Sequence, residues 1–446
     1  MEQVISALGV GVSGRATLLK LGLVAVAAGA VQQALVLATA CATAEWGVSD
    51  HRATAASRSV LIGRLAGAIL AAAVADALGR REAIGLSMIV ASGACVVTAF
   101  ATSFEVFQYA CGFGGLALGG ATLAPLVLAV ERAPATQRGR YATTLAAFNA
   151  VGGVLFFLTH GALALTAAGL QTLKDPKGDS VGAQWRSAAA VAAVAPFAAA
   201  VATGRGLAES FRWLASTKRH AQCRREVRDA ARRNFGATPN GRRVAALLED
   251  ALLESESAPP PPDAARAACN VAKQSITAAN LGAAGLAFLA AFGLASVTAL
   301  LRLEFDAPGR SVAAERRRLT EAACAGVDYR LVSASLGFEL LFVLIARHLV
   351  DLVGRRPTVA GLAAAAGAGA LALATPEYVP SWDAAPEAAL VAALASSRGA
   401  LSAAVATTIL YAAETNVQSA RAASAAVAAV AARLGGLGAA AWVRRP

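Results

Sequence analysis

A short charged sequence occurs twice in this chain, each time directly after a long apolar run. The first copy runs from Asp76 to Arg81 (Asp-Ala-Leu-Gly-Arg-Arg), and the second runs from Asp351 to Arg356 (Asp-Leu-Val-Gly-Arg-Arg). In both halves, two more apolar runs follow before an acidic residue and an arginine at the same spacing. These pairs are Glu131 with Arg138 and Glu414 with Arg421. The repeated order predicts two homologous membrane-embedded halves, a frequent architecture of secondary transporters.

The composition indicates a polytopic membrane protein. Of the 446 residues, 57% are hydrophobic and only 15% are charged. A bilayer core about 30 Å thick is crossed by about 20 helical residues. Apolar runs of that order occur near residues 18–43, 59–75, 83–104, 105–130, 141–168, 187–207, 274–301, 329–350, 357–375, 387–413 and 422–443. The sequence therefore predicts an all-α membrane protein with about eleven spans, and such long apolar runs exclude an ordinary soluble enzyme.

Several classes of site and partner are not expected. The net charge of +12 is distributed in short basic clusters between apolar runs, which is unlike a nucleic-acid-binding surface. The six cysteines and four histidines are dispersed, without the spacing of metal ligands. Transport is noncovalent, so we predict no catalytic residues, no cofactor and no metal. The expected partners are the lipid bilayer and a small solute.

The distribution of basic residues predicts the orientation of the loops. Arginines at 80, 81, 355 and 356 and the basic central stretch lie in loops that should be cytoplasmic, because Lys and Arg are enriched on that side. The resulting division is a six-span N-terminal half (1–208), a cytoplasmic linker with short helices (209–268) and a C-terminal half (269–446) that is expected to be truncated to five spans.

The charges beside these loops form a candidate cytoplasmic gate. A carboxylate at the edge of the apolar layer is costly unless an arginine or a helix N-terminus faces it. Salt bridges that form when the inside is closed must break when it opens, so they bias the two states. The alternative is that the arginines only retain their loops in the cytoplasm. The preference of Lys and Arg for that side does not explain the acidic residues beside them, however. The predicted gate residues are Asp76, Gly79, Arg80, Arg81, Glu131, Arg138, Asp351, Gly354, Arg355, Arg356, Glu414 and Arg421.

These motifs resemble those of the major facilitator superfamily, and further segments resemble its organic ion transporter family. Glu45-Trp46-Gly47-Val48 is similar to the start of that family's second span, Trp185-Arg186 to the pair before the sixth, and residues 432–436 to its eleventh span. The stretch Glu-Ser-Phe-Arg-Trp-Leu at 209–214 resembles a box that the family shares with sugar porters. The resemblance implies two pseudo-symmetric helical bundles of twelve spans, so the twelfth is expected to be missing.

The same resemblance implies a function and a substrate site. It implies alternating-access transport of small organic ions, preferably anions or zwitterions, in the plasma membrane. Arg433 matches a position that is arginine in carriers of anions, and the alternative is that it snorkels to a span end. Glu339 matches an acidic position, where it would line the cavity, orient Arg433 or pair with Arg347. Phe292 matches an aromatic position that stacks on substrate or simply packs.

Two other functions stay open at this point. The missing twelfth span and the short loop between the first two spans favour an inactive or truncated transporter-like protein, because transport needs two complete halves. A porter of sugars or other solutes from the same superfamily is the other alternative, since the box at 209–214 is common to both families. The sequence does not identify a coupling or exchange ion.

Overall fold

A computed structural model describes residues 1–48, 50–172, 181–236, 238–257, 329–374 and 387–414, together with residues 284, 285, 287, 427, 428 and 431. Within these residues, all the extended regular elements are helices. The N-terminal part contains α1 (Glu2–Leu8), α2 (Val12–Glu45), α3 (Asp50–Ala77), α4 (Arg80–Ala99), α5 (Phe104–Arg132), α6 (Arg138–Thr172), α7 (Val181–Gly206), α8 (Phe211–Ser216), α9 (His220–Phe235) and α10 (Pro239–Ser257). The C-terminal part contains α11 (Tyr329–Leu352), α12 (Arg355–Ala374) and α13 (Glu387–Glu414).

Six helices in the described part of the chain, α2 to α7, are long and apolar enough to cross a bilayer. They coincide with the six apolar runs of the predicted N-terminal half. Helices α11, α12 and α13 coincide with the runs predicted at 329–350, 357–375 and 387–413. The remaining two runs, 274–301 and 422–443, lie almost entirely outside the described residues. The all-α membrane fold class predicted from the sequence is confirmed.

Small residues bring the backbones of α3 and α5 into contact. A Cβ atom on Gly67 would lie 1.9 Å from the carbonyl oxygen of Leu116, and one on Gly115 would lie 2.2 Å from that of Val60. Both distances are far shorter than any real contact, so only glycine fits at these two positions. Such close approach allows dense packing between membrane helices, where the hydrophobic effect does not drive association.

The two halves meet along α6 and α11, which run antiparallel. Near one end of this interface, the Cβ position of Gly139 lies 2.5 Å from Val350 Cγ1. Further along, Ala147 packs in one apolar cluster with Val343. Near the other end, the Cβ position of Gly153 lies 3.4 Å from Leu336. This order places Arg80 and Asp351 at the same end of the bundle, which we call the inner end.

A small helical layer closes the inner end of the N-terminal half. Helices α1, α8, α9 and α10 share one apolar cluster, in which Ile5, Trp213, Val227 and Leu248 are buried. The opposite face of α9 carries arginines, so this helix is amphipathic. We call α1 and α8–α10 the helical cap. It lies largely within the linker predicted for 209–268.

Candidate functional site

The two copies of the charged repeat adopt the same local geometry. In the first, Asp76 Oδ1 lies 3.0 Å from Arg80 Nη2, and in the second Asp351 Oδ1 lies 3.6 Å from Arg355 Nη1. In both turns the arginine also donates to the carbonyl oxygen five residues before it, at 2.9 Å and 3.2 Å respectively. Each arginine therefore ties the start of one helix to the end of the preceding helix. The duplication seen in the sequence is also a duplication of contacts.

Each turn depends on a glycine in the left-handed region. The φ angle is +119° at Gly79 and +100° at Gly354, values that residues with a side chain rarely adopt. At the first turn the space is also restricted, because a Cβ atom on Gly79 would lie 2.5 Å from Glu209 Oε2. The helix can end and the next one begin within two residues only because this position lacks a side chain.

Arg80 forms a buried ion pair with Glu131, which connects the start of α4 to the end of α5. The Nη2–Oε1 distance is 3.0 Å, and the side chains are 6% and 1% exposed. A buried carboxylate is stable in its charged form only when it is paired. Arg138, which stands at the repeated spacing from Glu131, pairs instead with Glu2 of α1, at 2.6 Å.

Glu209 anchors the helical cap to the same turn. Its carboxylate accepts hydrogen bonds from the backbone N–H groups of Arg80 (3.2 Å), Arg81 (3.1 Å) and Ser210 (2.8 Å). Arg132 Nη1 donates to the carbonyl oxygen of Glu209 at 2.7 Å. Burial raises the pKa of the Glu209 carboxyl above its ordinary value, against the opposing effect of these donors. The carboxylate therefore caps the first turn of α4 and holds α8 beside it.

Arg212 and Trp213 continue this network across the cap. Arg212 Nε donates to the carbonyl oxygen of Glu131 at 3.1 Å, and its guanidinium also pairs with Glu2. Trp213 Nε1 donates to the carbonyl oxygen of Asp76 at 3.0 Å. Burial raises the pKa of Glu2, but the positive charges of Arg212 and Arg138 outweigh it, so the pKa lies below its ordinary value. Glu2, Glu209, Arg212 and Trp213 thus fasten the cap to the inner end.

An ion pair links the two halves at the inner end. Arg140 Nε, at the start of α6, lies 3.3 Å from Asp351 Oδ2, at the end of α11. Within the C-terminal half, Arg356 Nη2 donates to the hydroxyl of Tyr411 at 2.8 Å. The backbone of Gly139 packs directly against Asp351, so α6 and α11 are in contact at the inner end.

A cavity of about 240 Å³ lies between the halves. Its wall contains apolar side chains and a few polar groups from both halves. On the N-terminal side, Arg64 Nη2 donates to Gln32 Oε1 at 2.7 Å, and Asn149 also faces the cavity. On the C-terminal side, Ser402 Oγ donates to Glu339 Oε1 at 2.7 Å. A concave, mostly apolar site with few convergent polar groups is typical of small-molecule binding.

The structure describes only part of the predicted substrate site. Glu339 lines the cavity, which was one of its three expected roles, and its carboxylate has Ser402 as a hydrogen-bond partner and Arg398 at 4.0 Å. Arg433, Phe292 and Arg421 lie outside the described residues. Glu414 ends α13, but its side chain is also outside them. The roles of all these residues stay predictions.

Several residues of the site were not identified from the sequence. Arg140 is one of several arginines in a basic loop, and nothing in its spacing marks it as a partner of Asp351. Gln32 and Asn149 give no signal, because an isolated amide in an apolar run is not distinctive. Glu209 belonged to a recognised box, but its hydrogen bonds to the turn at Gly79 depend on the tertiary structure. Only the Asp76–Arg80 and Asp351–Arg355 pairs follow from the sequence alone, because the two partners are four residues apart.

The other end of the bundle, which we call the outer end, contains an aromatic cluster. Trp46, Phe104, Phe107 and Trp185 contact one another with ring centroids 5.6–6.0 Å apart. Glu45 accepts hydrogen bonds from the indole of Trp185 and the guanidinium of Arg186, both at 2.6 Å. Two segments that supported the family resemblance, at 45–48 and 185–186, thus meet in space.

Two helical bundles, a mostly apolar cavity with a few polar groups between them and a duplicated charged turn at one end define a transporter of the major facilitator superfamily. The sequence model of the family described as "Sugar (and other) transporter" matches residues 22–251, just over half of the chain. The chain belongs to this family. It is a multi-pass membrane protein that moves solutes, and it is not an enzyme.

Solved structures agree on the fold. The structure of the proton:xylose symporter XylE bound to 6-bromo-6-deoxy-D-glucose is 17% identical, with a TM-score of 0.69 over 96% of this chain and 88% of that one. The partially occluded inward-open xylose transporter XylE from E. coli is 16% identical, with a TM-score of 0.61 over 94% and 91%. The E. coli fucose:proton symporter FucP is 12% identical, with a TM-score of 0.54 over 96% and 90%. Among curated proteins, no significant sequence match was found.

These findings refine the prediction made from the sequence. The superfamily is confirmed. The narrower prediction of an organic ion transporter is not supported by the family match. The matched family corresponds instead to the alternative prediction, a porter of sugars or other solutes.

Proposed function

We propose that this protein carries a small polar solute of the sugar class across a membrane by alternating access. The observation that carries the proposal is the cavity to which both halves contribute polar groups, while α6 and α11 are in contact at the inner end. A site between two rigid halves can face either side of the membrane when the halves rock. The proposed function is therefore transport without covalent chemistry.

The polar groups of the cavity suit a solute rich in hydroxyl groups. Amide side chains both donate and accept hydrogen bonds, as sugar hydroxyls do. Gln32 uses its amide oxygen on Arg64, and Asn149 uses its amide nitrogen on the carbonyl oxygen of Ala25. The amide nitrogen of the first and the amide oxygen of the second keep hydrogen-bonding capacity for a solute. The family match and the printed substrates of XylE and FucP, xylose and fucose, support the same class.

The predicted gate has a defined role in this proposal. The buried Arg80–Glu131 pair keeps the inner end of the N-terminal half rigid, whereas the Arg140–Asp351 pair crosses between the halves and must break for the inner end to open. We infer that the inner end is cytoplasmic and that the halves comprise 1–208 and 269–446, with 209–268 as the linker. We also propose the plasma membrane as the site of action.

An organic anion is the second candidate substrate. Arg64 supports it, because a guanidinium in the cavity wall is a ready partner for a carboxylate. Arg433 would add a second positive charge if it faces the same cavity, as the family resemblance suggests. A charged solute pays a larger desolvation penalty than a sugar, so this substrate would depend more strongly on Arg64.

Uptake by proteoliposomes distinguishes the two candidates. Purified protein is reconstituted, and labelled xylose, fucose and a labelled aromatic carboxylate are offered separately, with and without a proton gradient. We expect sugar uptake that Asn149→Ala lowers about fivefold or more, because a lost hydrogen bond in a dry site costs about 1–3 kcal/mol. Gln108→Ala, an amide on α5 outside the cavity wall, is the matched control. Carboxylate uptake that Arg64→Gln abolishes would favour the second candidate, and no uptake of any solute above empty vesicles would contradict both.

A further inference from the structure

A second cavity, of about 200 Å³, lies at the inner end between the N-terminal half and the helical cap. It is separate from the cavity between the halves and is lined only by α2, α9 and the inner ends of α4, α5 and α7 with the loop after α7. Five basic side chains line it: Lys20, Arg81, Arg132, Arg205 and Arg233. Only two acidic side chains do so, Glu226 and Asp229.

The hydrogen bonds of the basic groups do not neutralise them. Three of the five donate to backbone carbonyl oxygens, which carry no net charge. Lys20 donates to Gly206, Arg81 donates to Gly204 at 3.1 Å, and Arg132 donates to Glu209 at 2.7 Å. Arg132 also stacks over the ring of Phe211 at 4.1 Å, which holds its guanidinium in place. These contacts fix the positions of three cations around one space.

The two acids compensate only part of this charge. Glu226 lies on α9 between Arg132, Arg81 and Arg233, and burial raises its pKa above the ordinary value. Asp229, one turn further along α9, is exposed. Arg81 has one further acidic partner, because its Nε lies 3.5 Å from Oε1 of Glu82, which is outside the wall. Even when all three acids are ionised, the five positive charges exceed the negative charges by two. Like charges gathered in a partly dehydrated cavity repel one another, so an anion that enters is bound favourably.

We propose that this cavity binds a phosphate group on the inner side of the protein. A phosphate monoester carries about 1.5 to 2 negative charges and three strong acceptor oxygens, which match a ring of guanidinium and ammonium donors. The volume of about 200 Å³ is several times the roughly 30 Å³ that one water occupies in the liquid, so a phosphate with a small attached group fits. The group belongs either to a soluble phosphorylated metabolite or to the headgroup of an anionic phospholipid.

Binding would fasten the helical cap to the transporter. Arg233 lies on α9, Lys20 on α2 and Arg132 at the end of α5, so one bound phosphate joins three elements that are far apart in sequence. Arg81 and Arg132 are also the chain neighbours of Arg80 and Glu131, which form the buried ion pair. A phosphate in this cavity therefore stabilises the arrangement of the inner end, and this inference does not depend on which solute is transported.

Thermal unfolding of the purified full chain in detergent tests the proposal. Inorganic phosphate is titrated at constant ionic strength, and short-chain phosphatidylglycerol is titrated separately, with phosphatidylcholine as the neutral lipid. The variant is Lys20→Gln with Arg233→Gln. The control is Arg225→Gln with Arg243→Gln, which removes the same charge from exposed positions of the cap outside the cavity.

The expected result is a saturable rise of the melting temperature in wild type and control, with half-saturation shifted at least tenfold in the variant. A response to phosphate assigns a soluble ligand, and a response to phosphatidylglycerol alone assigns a lipid headgroup. Equal responses of variant and control to both probes, or no response of wild type to either, would overturn the proposal. If the double variant does not fold, Arg233→Gln alone is used, because this side chain is exposed and its loss leaves the core intact.

Discussion

Arg140 Nε lies 3.3 Å from Asp351 Oδ2, so the first turn of α6 is tied to the last turn of α11 across the boundary between the halves. Asp351 is 10% exposed and Arg140 is 51% exposed. Asp351 has a second basic neighbour within its own half, Arg355, whose Nη1 lies 3.6 Å from Asp351 Oδ1. Asp351 therefore joins the second turn to the opposite half. This ion pair must break when the two halves separate at the inner end.

We expect Arg140→Gln to shift the protein toward the inward-open state. A partly exposed ion pair contributes about 0.2–1 kcal/mol, which corresponds to a population shift of roughly 1.4-fold to fivefold. The measurement is the labelling rate of a cysteine at the cavity position Ala146, with an impermeant thiol reagent applied to the inner side. The exchanged pair Arg140→Asp with Asp351→Arg should return the rate toward that of the wild type. A rate unchanged by Arg140→Gln would contradict this role.

Glu131→Gln should destabilise the protein strongly. The substitution keeps the shape of the side chain but removes the charge that faces Arg80 in a site only 1% exposed. Breaking a buried ion pair costs about 3–5 kcal/mol. Because Arg80 keeps its contact with Asp76, we expect a loss at the lower end of this range, about 3 kcal/mol. The free energy of unfolding in detergent measures it. Glu82→Gln, at an exposed site on α4, is the matched control, and equal stability of the two variants would count against a structural role for the buried pair.

The contact between α3 and α5 should not tolerate a methyl group. Gly67→Ala would bring a Cβ atom within 1.9 Å of the carbonyl oxygen of Leu116, so the helices must separate, at a cost of about 1–3 kcal/mol. Gly93→Ala on α4, where no atom lies within 4 Å, should be neutral or slightly stabilising because alanine favours helix. Melting temperatures of the two variants provide the test. A Gly67→Ala protein as stable as Gly93→Ala would show that the helices are further apart.

Glu2 should make stability sensitive to acid. Its pKa in the folded protein is lowered from 4.5 because Arg212 and Arg138 outweigh the effect of burial. A lowered pKa of an acid means that its stabilising effect is present above pH 4.5 and is lost as the pH falls through the folded-state value. In Glu2→Gln the decrease of the melting temperature below pH 4.5 should be smaller than in wild type. Parallel pH profiles of the two proteins would refute this, and Glu82→Gln controls for the loss of one negative charge.

Local sequence was sufficient to predict the spans and the turns. Apolar runs predicted α2 to α7, because a bilayer requires about 20 apolar residues in a helix. The pairs Asp76–Arg80 and Asp351–Arg355 were predictable because residues four apart meet at a helix end. Glycine in the left-handed region explains why the fourth residue of each repeat is the same.

Partners distant in sequence could not be predicted in the same way. The spacing of Glu131 and Arg138 repeats in both halves but does not identify their partners, which are Arg80 for the first and Glu2 for the second. The choice depends on how α1 packs beneath the bundle, which no local pattern encodes. The cavity residues Gln32 and Asn149 were missed for the same reason, since their role comes from the packing of α2 and α6 against the other half.

The most direct test of the account is to fix the inner end and measure transport. Cysteines replace Arg140 and Asp351, and a short bifunctional thiol reagent joins them in proteoliposomes, with each single-cysteine variant as the control. If solute crosses between the halves and the inner end must open, uptake stops in the cross-linked protein and continues in both controls after the same treatment. Uptake that continues at the original rate in fully cross-linked protein would contradict the account.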